Sequence, residues 1–203
     1  TVIPHGWPAE ATEAALPSTE NGGDEAPVRF LYVGGLAWQK GLHVLLEAFE
    51  GVRGNAELSI AGAAADDTYA SQLQQRASSR VRFLGRVPHE RVAGLMAEAD
   101  VVVVPSLWYE TFSLLISEAF AAGRPVMASG LGGLADRVRD GVDGILVPPG
   151  DPEAWRTAMQ RLVDDPALLR KLRQGVSSPP QFSAHVDRLE ALYNRLRDAR
   201  ADV

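Results

Sequence analysis

The sequence contains no cysteine among its 203 residues. A disulfide framework, a thiol nucleophile and a thiolate metal site are therefore excluded. A cysteine-free chain is also consistent with a reducing compartment, and we expect a cytoplasmic protein. Long hydrophobic runs are missing too, since the longest, such as residues 101–105, are far too short to span a bilayer.

An excess of positive charge is likewise absent, because the formal net charge is -6. This balance argues against a general nucleic-acid binder or a binder of anionic membranes. The first residues, TVIPHGWP, show neither an initiator methionine nor the charged-then-apolar pattern of a signal peptide. We therefore expect the chain to be a piece of a longer protein.

Short apolar runs alternate with segments of helical periodicity from residue 28 onward. The predicted strands are residues 28–35, 56–62, 81–85, 101–106, 125–130 and 144–149. The predicted helices are residues 40–52, 66–79, 88–100, 112–123, 133–141, 151–165, 166–175 and 183–202. Such alternation forms parallel βαβ units, and uniformly apolar strands are covered by helices on both faces. We predict a doubly wound α/β fold with a six-stranded parallel sheet and extra C-terminal helices.

Three regions follow from this pattern. Residues 1–27 are predicted to be a strand end followed by a flexible linker, because residues 9–27 are small, polar and acidic. Residues 28–180 form the α/β domain, and residues 181–203 form a final amphipathic helix. Ligands of such sheets bind beyond the carboxyl ends of the strands, where this chain places glycines or serine. These positions are residues 34–35, 62, 85, 106 and 130.

The stretch GGLAWQKG, residues 34–41, leads from the first predicted strand into a helix. A helix N-terminus presents free N–H groups and about half a positive charge, and Lys40 adds a full charge. These features suit a phosphate group. A tight turn with an exposed lysine would use the same residues, and the stretch matches neither the Walker nor the GxGxxG pattern. Both interpretations stay open at this point.

Two glutamates, Glu110 and Glu118, interrupt the otherwise apolar PSLWYETFSLLISEAFAAGRPV. In one continuous helix, eight residues span about 12 Å and their directions differ by about 80°. We expect both carboxylates to face one cleft and to accept hydrogen bonds from the paired hydroxyls of a sugar and a ribose. The alternatives are a helix-dipole role for Glu110 and pairing with Arg124 for Glu118.

A third glycine-rich stretch, SGLGGLAD, covers residues 129–136 at the end of the fifth predicted strand. Its glycines allow backbone amides to approach a ligand closely. Asp136 lies in the first turn of the following predicted helix, where simple dipole compensation is the alternative role. No two histidines have a zinc-ligand spacing with a third donor, and no nucleophile with an evident base is present.

In chain order, these motifs resemble the C-terminal, donor-binding domain of retaining glycosyltransferases of family 4, a group 1 family with a two-domain B-type fold. The resemblance rests on VIPHGWP, VGGLAWQKG, VRFLGRVPHERVAGLMAEADVVVVPSLWYETF, SEAFAAGRPVMAS and DGILVPPGDPEAW, and it covers nearly the whole chain. It implies a Rossmann-like domain, a hexosyltransferase activity, and a UDP-, GDP- or ADP-linked sugar as donor. It also implies that no metal or other cofactor is needed.

The resemblance assigns roles residue by residue. Lys40 would bind the diphosphate and Glu110 the hydroxyls of the transferred sugar, and both would be catalytic. Glu118 would hold the ribose. The remaining donor-binding positions are Gly34, Gly35, Gly85, Arg86, Val87, Phe112, Ser113 and Leu114, with Gly133 and Asp136 as sugar contacts.

Three positions depart from the family pattern. Gly35 stands where an arginine usually joins the lysine on the diphosphate, which puts the strength of donor binding in doubt. Ser113 stands where a glycine is usual, and Asp136 replaces a more frequent glutamate.

The partners that the resemblance implies are a nucleotide sugar and an N-terminal acceptor domain of the same protein, against which the last helix would pack. We expect no nucleic-acid partner, a peripheral membrane contact only through that other domain, and no transfer by this piece alone. Two alternatives stay open. One is a non-catalytic nucleotide-binding or scaffold module, which Gly35 favours. The other is a B-type enzyme such as a sugar-nucleotide epimerase, whose catalytic acids and histidine we do not find.

Overall fold

A computed structural model describes residues 26–64, 67–180 and 182–201, the last four without their side chains. Nearly all of the predicted linker at residues 1–27 lies outside these ranges. Within them, no helix combines the length and apolarity needed to cross a bilayer.

Six parallel strands form one sheet in the order β3-β2-β1-β4-β5-β6. The strands are β1 (Val28–Val33), β2 (Ala56–Ala61), β3 (Val81–Gly85), β4 (Val101–Val104), β5 (Val126–Ser129) and β6 (Gly144–Val147). The predicted six-stranded, doubly wound sheet is confirmed. The strand order reverses between β1 and β4, so the loops that follow these two strands are neighbours at the carboxyl edge.

Seven α-helices accompany the sheet in the described ranges. They are α1 (Leu42–Glu50), α2 (Asp67–Arg76), α3 (His89–Glu98), α4 (Leu114–Ala121), α5 (Pro152–Asp164), α6 (Pro166–Gly175) and α7 (Phe182–Ala201). Single 3-10 turns lie at Trp38–Lys40 and Gly132–Leu134. α5 and α6 begin as their sequences predict, because Asp151 and Asp165 accept amide hydrogens of the first turn and a proline follows each.

The predicted helix at residues 133–141 is wrong. Only the 3-10 turn and a few turns form there, because the glycines disfavour a helix and the following chain bends toward β6. The bend is fixed by Asp143, whose carboxylate accepts the Arg139 amide hydrogen at 2.7 Å, and by Gly141, whose φ is +69°. The predicted helix at residues 112–123 also begins two residues late, at Leu114.

Helices cover both faces of the sheet, as the uniformly apolar strands predict. In β4, Val101 and Val103 pack into one core with helices α1, α2, α5 and α6. Val102 and Val104 point to the opposite core, which α3 and α4 complete. Because helices cover both faces, the loops that follow the parallel strands at the carboxyl edge are where a ligand of such a sheet binds.

A buried ionic cluster closes the opposite, amino-terminal edge of the sheet. Asp100, which is 5% exposed, accepts the Arg29 amide hydrogen at 2.8 Å and two guanidinium hydrogens of Arg29 at 3.2 Å. Arg173 of α6 also donates to Asp100. Arg124 is buried beside them and donates to the carbonyl of Ala97, rather than pairing with Glu118. Burial above all, then Arg173, lowers the pKa of Arg124 to about 10, although Asp100 opposes the shift.

We predict that Asp100→Ala lowers the free energy of unfolding by about 3–5 kcal/mol, since it leaves half-buried Arg29 and Arg173, and buried Arg124 beside them, without the buried carboxylate that offsets their charge. The control is Glu57→Ala, which removes an exposed ion pair with Arg82 and should cost less than about 1 kcal/mol. Urea denaturation measures both. Equal losses for the two variants would contradict the central role of Asp100.

Candidate functional site

The loops after β1 and β4 are held together by backbone contacts. The Leu107 amide donates to the Gln39 carbonyl at 2.8 Å, and the buried Ser106 hydroxyl lies 3.5 Å from the same oxygen. Gly41, with φ of +72°, presses against the Pro105 carbonyl so closely that a Cβ would lie 1.9 Å from that oxygen. Only glycine fits at this position, and the close approach sets Lys40 beside Glu110.

Lys40 and Glu110 form an ion pair at this junction. The Lys40 Nζ lies 2.8 Å from the Glu110 Oε1, and their side chains are 33% and 14% exposed. The two residues are 70 positions apart in sequence, yet the sequence predicts both as parts of one site. A ligand that carries both an anionic group and hydroxyls could engage the ammonium and the carboxylate together.

A cleft of about 170 Å³ opens next to this ion pair. Its walls include Tyr32, Gly34, Lys40, Glu110, Ser113 and Leu114. Five of these six are predicted from the sequence as site residues. The structure therefore brings together residues from β1, from the loop after it and from the start of α4.

Tyr32 is the member of the cleft that the sequence does not single out. Its hydroxyl donates to the Gly35 carbonyl at 2.8 Å, which fixes the turn after β1. Burial raises the pKa of Tyr32, and the nearby Glu110 raises it further, so the phenol stays protonated. Its position inside an apolar strand predicts a core residue, and nothing in the neighbouring sequence predicts the hydrogen bond of its hydroxyl.

Ser113, the residue before α4, has left-handed backbone angles, with φ of 51° and ψ of 89°. It is the one non-glycine residue with positive φ in the described ranges. This conformation costs about 1–2 kcal/mol for a residue with a Cβ. α4 lacks a side-chain cap, and the first amides of a helix have no partner within it. Ser113 to Leu115 line the cleft, which places such donors at its wall.

Glu118 lies one turn inside α4 and is half-buried. Burial raises the pKa of its carboxyl, while His89 opposes the shift. The predicted geometry of the two glutamates, based on one continuous helix, is wrong because Glu110 lies in the loop before α4. Glu110 lines the cleft and Glu118 does not.

The remaining predicted site residues do not line the cleft. Gly35 follows Gly34 at the end of β1, next to the cleft. Gly85 and Arg86 are exposed at the end of β3, and Val87 is half-buried against the core formed with α3; none of the three lines the cleft. The Gly85 carbonyl accepts the Gly62 amide hydrogen at 2.8 Å.

Phe112 belongs to the loop that carries Glu110, whereas Gly133 and Asp136 belong to the segment after β5 that packs against this loop. The Gly133 amide donates to the Glu110 carbonyl at 2.9 Å, so it supports that loop directly. Asp136 is exposed, and Phe112 is half-buried under the guanidinium of Arg137 at 3.9 Å. Arg137 is a second residue that the sequence does not single out.

The chain is similar to known proteins in sequence and in fold. A sequence model described as "Glycosyl transferases group 1" matches residues 27–165. The chain belongs to this glycosyl transferase family. The predicted resemblance is confirmed for this group 1 family and, with the solved structures below, for a C-terminal domain of the B-type fold that is Rossmann-like. Its assignment to family 4 stays a prediction.

Two proteins illustrate the similarity of this glycosyltransferase domain to others. An uncharacterised glycosyltransferase of Methanocaldococcus jannaschii is 39% identical over 139 residues, which is 66% of this chain and 35% of that protein. The solved sucrose-phosphate synthase of Thermosynechococcus elongatus is 31% identical, with a TM-score of 0.80 over 98% of this chain and 53% of that one.

HepE of Anabaena, solved with UDP-glucose, is 22% identical, with a TM-score of 0.69 over 87% of this chain and 49% of that one. At this identity the likeness concerns the fold alone. The glycosyltransferase domain thus spans about a third of the curated relative and about half of each solved chain.

We predict that Glu118→Gln makes the domain more stable at pH 7. Because the folded-state pKa of Glu118 is raised, the unfolded chain releases its proton first as the pH rises above about 4, and the free energy of unfolding falls. The free energy of unfolding of the variant lacks this fall, and it should equal that of the parent below pH 4. Urea denaturation between pH 3.5 and 8 measures it.

The control for that comparison is Glu98→Gln, an exposed carboxylate near the end of α3. A Glu118→Gln variant that is no more stable than its parent at pH 7 would show that burial does not disfavour this carboxylate.

Proposed function

We propose that this domain binds the nucleotide diphosphate sugar of a retaining, metal-independent hexosyltransferase of family 4. The observation that carries the proposal is the Lys40–Glu110 ion pair at 2.8 Å, set at the strand-order reversal beside a cleft. Such a pair offers one group for phosphate and one for hydroxyls within a single contact distance. UDP, GDP and ADP sugars all present this chemistry.

Lys40 and the first amides of α4 would hold the diphosphate. In the transfer, the bond from the sugar C1 to the diphosphate oxygen breaks, the acceptor oxygen bonds to C1 on the same face, and the acceptor hydroxyl passes its proton to an oxygen of the departing diphosphate. Negative charge grows on the leaving diphosphate, and an ammonium with oriented N–H groups stabilises it. These groups take the role that a metal ion has in other transferases.

Glu110 would accept hydrogen bonds from hydroxyls of the transferred sugar. A diphosphate that draws Lys40 toward itself frees the Glu110 oxygen for this purpose, because one ion pair is exchanged for another. Glu118, which lies in α4 beyond the wall of the cleft, would accept from the two ribose hydroxyls of a donor that extends past the cleft. Its carboxylate is disfavoured by burial, so a bonded ribose would compensate for lost solvation.

The whole enzyme, in this proposal, adds an N-terminal domain that supplies the acceptor site and against which α7 packs. Half-buried Val186, Leu189 and Leu192 and exposed Tyr193 and Leu196 on α7 support that role. The domain alone would bind donor weakly and transfer nothing. Residence in the cytoplasm, with a membrane contact only through the other domain, completes the proposal.

One observation favours a second function, a nucleotide-binding module without catalysis. Gly35 supplies no cation beside Lys40, and a Cβ built there would meet only the Ala63 carbonyl oxygen, at 3.9 Å. Nothing steric therefore explains why glycine stands at this position. A domain with one cation in place of two would hold a nucleotide less firmly and stabilise a departing diphosphate less well.

We predict that one of UDP, GDP and ADP binds saturably, and that Lys40→Ala and Glu118→Ala each weaken binding about 10- to 100-fold. The reason is the loss of a charged hydrogen bond, worth about 1.5–3 kcal/mol. Isothermal titration calorimetry measures it.

The matched controls are Lys171→Ala on α6 and Glu98→Ala on α3, both exposed and outside the cleft. They should leave affinity within about twofold. Equal weakening by the control and site variants would contradict the proposed site.

We predict that Gly35→Arg strengthens the binding of nucleoside diphosphate about tenfold, because it adds a cation where the backbone is not left-handed and the space is open. Binding of the uncharged nucleoside should not change, which provides the control. If the folded variant binds neither the nucleoside diphosphate nor the nucleoside more tightly than the parent does, position 35 does not face the diphosphate.

A further inference from the structure

The segment after β5 packs closely against the loop that carries Glu110. We call residues 131–137 the clamp segment and residues 109–113 the donor loop. The Gly133 amide donates to the Glu110 carbonyl at 2.9 Å, and a Cβ on Gly133 would lie 2.5 Å from the Thr111 carbonyl oxygen. A Cβ on Gly132 would lie 2.9 Å from the Tyr109 ring. The two segments therefore touch along several consecutive residues.

Arg137, at the end of the clamp segment, joins the donor loop to α4. Its guanidinium lies 3.9 Å from the centre of the Phe112 ring, and its Nη2 donates to the Ser117 hydroxyl at 2.6 Å. Ser117 is buried in the first turns of α4. One planar cation thus contacts the residue before Ser113 and a residue after it.

Ser113 is the strained point between those two contacts, since its φ of 51° is unfavourable for a residue with a Cβ. Such strain persists only where the surroundings over-determine the backbone. The clamp segment is itself firmly held, because Leu134 and Val138 are buried at 0% and 3% exposure on either side of Arg137. The backbone that carries Arg137 is therefore held in place by buried neighbours on both sides.

We propose that Arg137 is a positioning residue that holds Ser113 in its left-handed conformation and so aims the first amides of α4 into the cleft. The inference rests on the proposed function, in which those amides meet the diphosphate. Arg137 does not line the cleft, so its effect passes through Phe112, Ser117 and the backbone between them.

The test is a double-mutant cycle of Arg137→Met and Ser113→Gly. Methionine keeps the length of the apolar stem but loses the planar cation, and glycine removes the strain at position 113. In the parent background, Arg137→Met should weaken binding of the preferred nucleoside diphosphate about tenfold. In the Ser113→Gly background the same change should weaken it no more than about threefold, because the backbone no longer needs to be held.

A purely structural role for Arg137 predicts a different pattern. The two substitutions would then act independently, and Arg137→Met would cause the same loss in both backgrounds, which would overturn the proposal. Arg139→Met is the matched control, since Arg139 lies two residues on and pairs with Asp143. It should change affinity by less than about twofold. If Arg137→Met does not fold, Arg137→Lys takes its place in the cycle.

A second readout needs no nucleotide. The backbone carbon and nitrogen chemical shifts of Ser113 and Leu114 report the left-handed conformation directly. They should move toward helical or extended values in Arg137→Met and stay in place in Arg139→Met. Unchanged shifts in Arg137→Met would overturn the proposal. Failure of every nucleotide to bind the parent, with the shifts moving as expected, would refute the proposed function while supporting the role of Arg137.

Discussion

The site depends on one close backbone contact, where Gly41 meets the Pro105 carbonyl between the loops that follow β1 and β4. The strand order reverses at these two strands, so their loops are the pair that can meet at the carboxyl edge. The Leu107–Gln39 hydrogen bond closes the same junction. A side chain at position 41 would force the loops apart and separate Lys40 from Glu110, although the six strands themselves would remain paired.

The chemistry of the site follows from how few charges are gathered there. Lys40 and Glu110 neutralise one another, and Gly35 adds no second cation. In the proposed function, a donor therefore exchanges partners with an existing ion pair rather than entering a strongly positive pocket. The amides at the start of α4 become correspondingly more important in this proposal, which assigns their direction to the strained Ser113 and to Arg137, stacked on the neighbouring Phe112 ring. Under this proposal, affinity for the diphosphate depends on backbone geometry as much as on charge.

Much of this arrangement could be predicted from the sequence because its signals are local. Six apolar runs separated by helical periodicities specify the parallel sheet, the motifs after the first and fourth strands single out Lys40 and Glu110, and the family resemblance adds Ser113. Other features depend on contacts between distant residues. The apolar strand around Tyr32 predicts only a core residue, and Arg137 falls in the predicted helix at residues 133–141, which does not form. The eight-residue spacing of the two glutamates does not predict their geometry, because α4 begins only after the left-handed Ser113 and Glu110 lies in the loop before it.

The most direct test of the donor site follows the Lys40 ammonium itself. Lys40 and Lys171 are the two lysines of the chain, so carbon-13 methylation labels one site in the cleft and one on α6 besides the N-terminal amine, and Lys171→Arg assigns the signals. We predict that the preferred nucleoside diphosphate shifts the Lys40 signal saturably, that the Lys171 signal stays in place, and that the free nucleoside moves neither. A Lys40 signal that does not move with UDP, GDP or ADP at millimolar concentration, while the spectrum shows a folded domain, would contradict the proposed donor site.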